Sequence, residues 1–257
     1  MKITGIFLMV QTRIVPSHPA LIIEGKNRSL VVTDLHIGFE SNLATNDIFV
    51  GKNTTVNETI SELEKIIDST KADSLILLGD VKSSIKSISK NEWDEIPLFF
   101  NKIKEKCDVT LVPGNHDGNI QKLVPDGVNM ISSAGLVIEN MLLTHGHTMP
   151  SENFSHVDKI IMGHVHPVFF DVDSVLNGNR VWVTIKTEKE KIFPSASGEI
   201  EILVVPSFNK YFYATYKRQY KRSISPIIEK TKDALSAKIL TLDGTIIGDE
   251  SILKQVL

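Results

Sequence analysis

Five short apolar segments, each ending abruptly at a cluster of polar residues, constrain the fold of this chain more than any other feature. Uninterrupted runs rich in valine, isoleucine and leucine are typical of strands that are buried on both faces of a sheet. The segments are residues 30–33, 74–78, 109–112, 141–144 and 159–162. We therefore expect five buried strands whose ends carry polar side chains.

The sequence between and after these segments indicates the fold class. Two stretches between the first three segments have helical spacing, one with Val56, Ile60, Leu63 and Ile67, the other with Trp93, Ile96, Phe99 and Ile103. This alternation of strand and helix predicts an α/β arrangement. Beyond about residue 125 the strands come close together, at 128–131, 136–138, 141–144, 168–172, 180–186 and 199–205. Strand-rich sequence after an α/β half suggests two packed sheets.

The two ends of the chain differ from the middle. Residues 1–10 form a short apolar run that meets Gln11 and Arg13 without a small-residue cleavage site, so we expect a first strand rather than a signal peptide. From about residue 223 the sequence predicts a helix near 226–237 and a hairpin around Asp243 and Gly244. We predict a main domain over residues 1–222 and a C-terminal extension of unknown role over 223–257.

Composition excludes several classes of protein. Hydrophobic residues make up 42% of the 257 residues and charged residues 23%, which is typical of a globular protein and not of a disordered one. No stretch reaches the roughly 20 apolar residues that span a bilayer. The net charge of -3 does not favour a protein that coats nucleic acid through bulk positive charge. The single cysteine, Cys107, excludes an internal disulfide, argues against a thiolate zinc site and favours a cytoplasmic location.

The polar clusters at the ends of the five segments form the candidate site. Six of the eight histidines fall in them, together with three aspartates and one asparagine. The cluster residues are Asp34, His36, Asp80, Asn115, His116, Asp117, His145, His147, His164 and His166. Each alone is ordinary for a helix cap, a turn or a hydrogen-bonded histidine. Five such coincidences at the ends of strands, where α/β sheets bind ligands, indicate a common site.

Aspartate, asparagine and histidine suit borderline-to-hard cations, with manganese expected first and iron, zinc or magnesium as alternatives. Seven of these ten residues are candidate ligands, which is too many for one tetrahedral ion. A carboxylate such as that of Asp80 can instead bridge two ions spaced roughly 3.5 to 4 Å apart. Two divalent ions bring four positive charges, of which Asp34 and Asp80 cancel two. Such a site attracts a phosphate group. Metal-bound water, with a pKa of about 7, supplies a nucleophile.

The motifs D-x-H, G-D, G-N-H-D, H-G-H and G-H-x-H, in this order over roughly residues 28–168, resemble those of the calcineurin-like metallophosphoesterases. The spacing over residues 20–38 and the segment 204–208 are similar to the small archaeal and bacterial branch related to the exonuclease subunit of break repair, which includes ligase-associated phosphoesterases. The resemblance implies two packed mixed β-sheets flanked by helices, a four-layer αββα sandwich.

The resemblance also implies roles for individual residues. The first metal ion would be held by Asp34, His36 and His166, the second by Asn115, His145 and His164, with Asp80 bridging both. His116 would be the general acid, oriented by Asp117. We expect His147 to contact substrate or a neighbouring ligand, or else to lie on the surface. Lys82 either binds a phosphate oxygen or is an exposed loop lysine.

One departure from the resemblance concerns the substrate. Break-repair nucleases often carry a histidine shortly after the second motif, whereas here Val81, Lys82, Ser83 and Ser84 follow Asp80. The expected substrate is a phosphodiester of a nucleotide or nucleic acid; a small phosphomonoester or a cyclic nucleotide is the alternative, and a non-catalytic scaffold is the third reading. Basic and aromatic residues interleave over 211–222, as in single-strand binding surfaces or in an amphipathic edge strand.

Overall fold

The computed structural model describes residues 10–44, 47–49, 51, 53–211, 225–231 and 233–257. Almost all of the predicted first strand at 1–10 lies outside these residues, so that expectation stays a prediction. The same holds for the basic and aromatic segment 211–222, of which Tyr211 alone is described.

Among the described residues, the first sheet has six strands in the order of the chain. They are β1 (Gln11–Ile14), β2 (Leu21–Glu24), β3 (Arg28–Val32), β4 (Ser74–Leu78), β5 (Asp108–Val112) and β6 (Val128–Met130). Strand β2 is antiparallel to both β1 and β3, and β3 to β6 run parallel, with Val31 opposite Ile76 and Ile76 opposite Thr110. Parallel strands need long crossover connections, which helices supply here.

The second sheet has eight strands within the part of the chain that the structure describes. They are β7 (Leu136–Ile138), β8 (Met141–Thr144), β9 (Lys159–Met162), β10 (Val168–Phe169), β11 (Asn179–Glu188), β12 (Glu199–Val204), β13 (Ser236–Thr241) and β14 (Ile246–Asp249). Their order is β14-β13-β11-β12-β9-β8-β7, and β10 pairs with β11. Strand β9 runs parallel to both β8 and β12, while the remaining pairs are antiparallel. Both sheets are therefore mixed.

The helices are α1 (Glu40–Ala44), α2 (Thr54–Thr70), α3 (Lys90–Ile103), α4 (Pro226–Lys230) and α5 (Leu253–Val256). Helices α2 and α3 confirm the two helical predictions. The expectation that Trp93 lies on the apolar face of α3 is wrong: its side chain is 50% exposed, because Glu92 takes the buried position in that turn. The helix predicted near 226–237 is also shorter than expected, because residues from Ser236 onward pair with β11 instead.

Alternate residues of the central strands face two different cores, as expected for strands covered on both sides. Leu30 and Leu75 pack beneath α2 and α3, whereas Val31 and Ile76 pack against residues of the second sheet, among them Trp182. The far face of the second sheet packs against α4 and α5. The predicted four-layer αββα sandwich is therefore confirmed.

The C-terminal residues belong partly to this sandwich. The hairpin predicted around Asp243 and Gly244 is confirmed, since β13 and β14 flank these residues. Strand β13 pairs with β11 over residues 236–241. The boundary predicted at residue 222 lies in a part of the chain that the structure does not describe, and it stays a prediction.

Candidate metal centre

The predicted site residues meet at one end of the two sheets. Strands β3, β4 and β5 of the first sheet and β8 and β9 of the second each deliver a polar cluster just beyond their C-terminal ends. Pairing continues past the strands, because the backbone N–H of Asp34 donates to the carbonyl of Gly79 (3.1 Å) and that of His36 to the carbonyl of Asp80 (2.9 Å). The structure thus brings together side chains that are up to 132 residues apart in the sequence, Asp34 and His166.

The first group of converging atoms comes from Asp34, His36 and His166, whose donor atoms all lie within 4.8 Å of one another. Nε2 of His36 is 3.3 Å from Nε2 of His166, and the latter is 3.1 Å from Oδ1 of Asp34. One carboxylate oxygen and two imidazole nitrogens at this separation are a donor set that fits a divalent cation.

The second group consists of Asp80, His145 and His164, again within 4.8 Å. Nε2 of His145 lies 3.3 Å from Oδ2 of Asp80 and 3.2 Å from Oδ1 of Asn115, so the asparagine joins this group. Asp80 also forms a third group with His36 and His116. Its carboxylate therefore stands between the two donor sets, where a bridging ligand is expected.

Five of the seven predicted metal ligands have left-handed backbone conformations, which are uncommon for residues other than glycine. The φ angles are 56° for Asp34, 45° for His36, 50° for Asp80, 69° for His164 and 50° for His166. Such conformations cost about 1 kcal/mol or more each and concentrate at functional sites, where the surrounding structure enforces them. This strain is an independent sign that these five positions serve the site.

A segment after β12 enforces the turn at Asp34. Oγ of Ser207 donates to the carbonyl of Asp34 (3.0 Å), and Nδ2 of Asn209 donates to the carbonyl of Leu35 (3.0 Å). Asn209 does not stand out in the sequence, because a polar residue after a strand has the signature of an ordinary turn. Its position directly after segment 204–208 was the available signal.

Two positions in the site require glycine, because neighbouring atoms leave no room for a Cβ atom. A Cβ on Gly114 would lie 2.5 Å from the backbone nitrogen of Asp80, and one on Gly163 would lie 2.7 Å from Oδ2 of Asp34. Real Cβ contacts this short do not occur, so any side chain here would displace a predicted ligand. Turn formation alone does not explain these two glycines.

His116 lies at the edge of the site, with 22% of its side chain exposed. Its Nδ1 is 2.5 Å from the carbonyl oxygen of Ser83, and its Nε2 is 3.8 Å from Oδ2 of Asp80. The expectation that Asp117 orients this ring is wrong. The buried Asp117 carboxylate instead accepts from the backbone N–H groups of Gly114 (2.8 Å) and Lys82 (3.1 Å), and it joins the second and third motifs.

The remaining two candidates differ in burial. Lys82 is fully buried, which contradicts the reading as an exposed loop lysine; a bridge between Ile37 and Lys82 continues the β3–β4 pairing and places it inside the sandwich. Its Nζ donates to the carbonyl of Ser84. His147 is half-buried, and its ring centroid lies 5.2 Å from that of His145 and 6.1 Å from that of His164.

Electrostatics favour the metal-binding forms of Asp34, His36 and His164. Burial raises the pKa of Asp34, but the attraction of His166 and His145 outweighs it and lowers the pKa to about 2. Burial lowers the pKa of His36 to about 3 and, with the charge of His145, that of His164 to about 4. At neutral pH Asp34 is therefore ionised while His36 and His164 are neutral, the states in which these three groups coordinate a cation.

The fold and this cluster define a metal-dependent hydrolase. The chain belongs to the calcineurin-like phosphoesterase family, whose model matches residues 28–168. No curated protein is detectably similar in sequence. Among the described residues, no helix is long and apolar enough to cross a membrane.

One solved structure shows the same fold over most of the chain. The crystal structure of the nuclease MPE of Pseudomonas putida superposes with a TM-score of 0.53 at 17% identity, covering 92% of this chain and 100% of that one. YfcE, a phosphoesterase from E. coli, gives 0.39 at 17% identity over 86% and 97% of the two chains. An archaeal phosphodiesterase gives 0.33 at 19% identity over 67% and 97%.

Proposed function

We propose that this metal-dependent phosphoesterase hydrolyses a phosphodiester of a nucleotide or nucleic acid, with two divalent metal ions as cofactors, manganese foremost. The observation that carries the proposal is the sharing of Asp80 between neighbouring donor groups. Asp34, His36 and His166 would hold the first ion, and Asn115, His145 and His164 the second. Iron, zinc and magnesium are the alternatives, since the same nitrogen and oxygen ligands suit them.

When bound, the two ions would supply Lewis acidity at a phosphoryl oxygen and lower the pKa of a water molecule so that it serves as a nucleophile. The chain's own charges favour an anionic substrate, because Asp34 and Asp80 neutralise only two of the four positive charges of two such ions. The residues thus leave a net attraction for one phosphate group at the end of the two sheets where the ligands converge.

His116 is proposed as the general acid. Its Nδ1 is occupied by the carbonyl of Ser83, so the proton that it exchanges is on Nε2, the ring atom that faces Asp80 and the site. An alkoxide leaving group is strongly basic, and protonation of its oxygen by a positioned imidazolium typically accelerates such a reaction by about 10² to 10⁴-fold.

Nucleic acid as the source of the diester is supported by likeness of fold to a structure described as a nuclease. The interleaved basic and aromatic residues of segment 211–222 favour the same reading. A cytoplasmic location is part of the proposal, supported by the single cysteine.

The test is hydrolysis of bis-p-nitrophenyl phosphate and of the monoester p-nitrophenyl phosphate with added manganese. We expect faster turnover of the diester, loss of activity in Asp80→Ala, and no change in Asp68→Ala, where the carboxylate is exposed on α2. Two equivalents of metal should bind to the parent protein and fewer to Asp80→Ala. Faster turnover of the monoester would establish the alternative substrate, and inactivity with every divalent metal would support a non-catalytic scaffold.

A further inference from the structure

The loop between β4 and α3 holds the acceptor that fixes the ring of His116. The carbonyl oxygen of Ser83 lies 2.5 Å from Nδ1 of His116. A carbonyl only accepts hydrogen bonds, so Nδ1 carries a hydrogen in both the neutral and the charged ring. The placement of Ser83 therefore decides both the tautomer of His116 and the direction of Nε2.

Glu92, in the first turn of α3, anchors this loop at two points. Its Oε2 accepts from the backbone N–H of Ser89 (2.6 Å), which is the ordinary capping-box contact at the start of a helix. Its Oε1 accepts from the backbone N–H of Ser84 (2.7 Å), the residue directly after Ser83. The second contact is not needed to cap the helix.

The surroundings of Glu92 make this arrangement rigid. The side chain is fully buried, and a Cβ on Gly38 would lie 2.8 Å from its Cγ, so it packs against the backbone two residues after His36. The buried ammonium group of Lys82 donates to the carbonyl of Ser84 and lies near enough to Glu92 for their charges to interact. Both polar groups of the Ser84 backbone are thus held by buried charged side chains.

We propose that Glu92 is a positioning residue for hydrolysis: by holding Ser84 it keeps the Ser83 carbonyl on His116 and Nε2 directed at the leaving group. This inference rests on the proposed role of His116 as general acid. Lys82 acts with Glu92 on the same peptide segment, which gives its burial a purpose other than contact with phosphate.

The variant Glu92→Gln tests the proposal, because an amide has one acceptor oxygen for the two backbone N–H groups. Methyl phenyl phosphate and methyl 4-nitrophenyl phosphate share the group that stays and differ in the basicity of the group that leaves. We expect kcat for the phenyl ester to fall by about tenfold, and kcat for the nitrophenyl ester by less than twofold, because a weakly basic leaving group needs little general acid. KM and metal content should not change.

Ser89→Ala is the matched control. It removes the acceptor of the Glu92 backbone N–H (3.3 Å) and weakens the helix cap, while both contacts of the Glu92 carboxylate remain. We expect the ratio of kcat for the phenyl ester to kcat for the nitrophenyl ester to be the same in this variant as in the parent. An equal loss on both esters in Glu92→Gln, or no loss, would overturn the positioning role. If Glu92→Gln does not fold, Lys82→Met, which releases the Ser84 carbonyl, must show the same selective loss.

A second readout does not depend on turnover. Nitrogen-15 spectra of histidine-labelled, metal-free protein, with the His116 signals assigned from His116→Ala, report which ring nitrogen carries the hydrogen. We expect hydrogen on Nδ1 in the parent and a mixture of tautomers in Glu92→Gln. An unchanged ring in Glu92→Gln refutes the inference even if the protein is an active esterase. An inactive parent whose His116 ring responds to Glu92→Gln would instead refute the proposed function alone.

Discussion

Nε2 of His145 lies 3.3 Å from Oδ2 of Asp80, and both side chains are almost completely buried. Burial by itself lowers the pKa of His145, but the attraction of Asp80 and Asp34 outweighs burial and raises it to about 9. Burial raises the pKa of Asp80 in turn, and His145 more than offsets this, so that the pKa falls well below its ordinary value. In the metal-free protein this pair is ionic, and the histidine must lose its proton before it coordinates a cation.

The stability of the metal-free protein should have a maximum near pH 6.5. The raised pKa of His145 contributes stability that is fully present below its ordinary pKa of 6.5 and is lost as the pH rises through about 9. The lowered pKa values of His36 (about 3) and His164 (about 4) contribute stability that is present above 6.5 and lost as the pH falls through those values. Asp117 partly offsets this loss of stability at acid pH. Burial and the charge of Asp80 raise its pKa to about 6, so the folded protein takes up this proton more readily than the unfolded chain as the pH falls.

Urea unfolding with a chelator at about pH 5, 6.5 and 8.5 measures this curve. We expect the free energy of unfolding to fall by on the order of 2 kcal/mol from pH 6.5 to the alkaline end, since one pKa unit corresponds to about 1.4 kcal/mol. His145→Gln is the control and should remove the alkaline decline. A parent protein that gains stability above pH 6.5 would contradict the Asp80–His145 ion pair.

Asn209→Ala should weaken metal binding without removing a ligand. It leaves the carbonyl of Leu35 without the 3.0 Å contact that supports the strained turn between Asp34 and His36. Loss of a group that orients metal ligands typically reduces affinity by about 10 to 100-fold. Calorimetric titration with manganese measures the effect. Asn140→Ala, which removes an exposed contact to Asp158, should bind manganese as the parent does.

Gly163→Ala should damage both stability and activity. The added methyl group would overlap Thr33 and lie 2.7 Å from Oδ2 of Asp34, and the cost of such overpacking is about 1 to 3 kcal/mol. We expect a lower melting temperature and a loss of about tenfold or more in kcat. Gly118→Ala is the comparison, because its Cβ would meet only the carbonyl of Ile85 at 3.6 Å. Equal behaviour of the two variants would show that the close approach at Gly163 has no consequence.

Cys107 should react slowly with thiol reagents in the folded protein. Burial, and to a lesser extent the charge of Asp108, raise the pKa of its thiol to about 11. At about pH 8 the reactive thiolate is therefore roughly 200-fold scarcer than in the unfolded chain, where the pKa is near 8.5. The rate of alkylation in the absence and presence of urea measures this difference. Comparable rates would show that the thiol is accessible in the native state.

The sequence by itself determined where the chemistry lies along the chain. Buried parallel strands have a distinctive apolar composition, and their C-terminal ends share one edge of a sheet, so Asp34, Asp80 and His164 were placed at a common site from local pattern alone. Their residue types restricted the ligand to a cation with oxygen and nitrogen ligands. The order of the motifs then indicated the family, which the match to the family model confirms, and the two-sheet fold, which the structure confirms.

The tertiary structure alone decided which groups hold those ligands in place. The acceptor at Nδ1 of His116 is a backbone carbonyl at Ser83 rather than the neighbouring Asp117, and Asn209 supports a turn 174 residues earlier in the chain. Lys82 is buried and Trp93 half-exposed, although their types suggest the reverse. Such contacts depend on how distant segments pack and on which backbone groups then lack a partner, and neither is encoded in local hydrophobic periodicity.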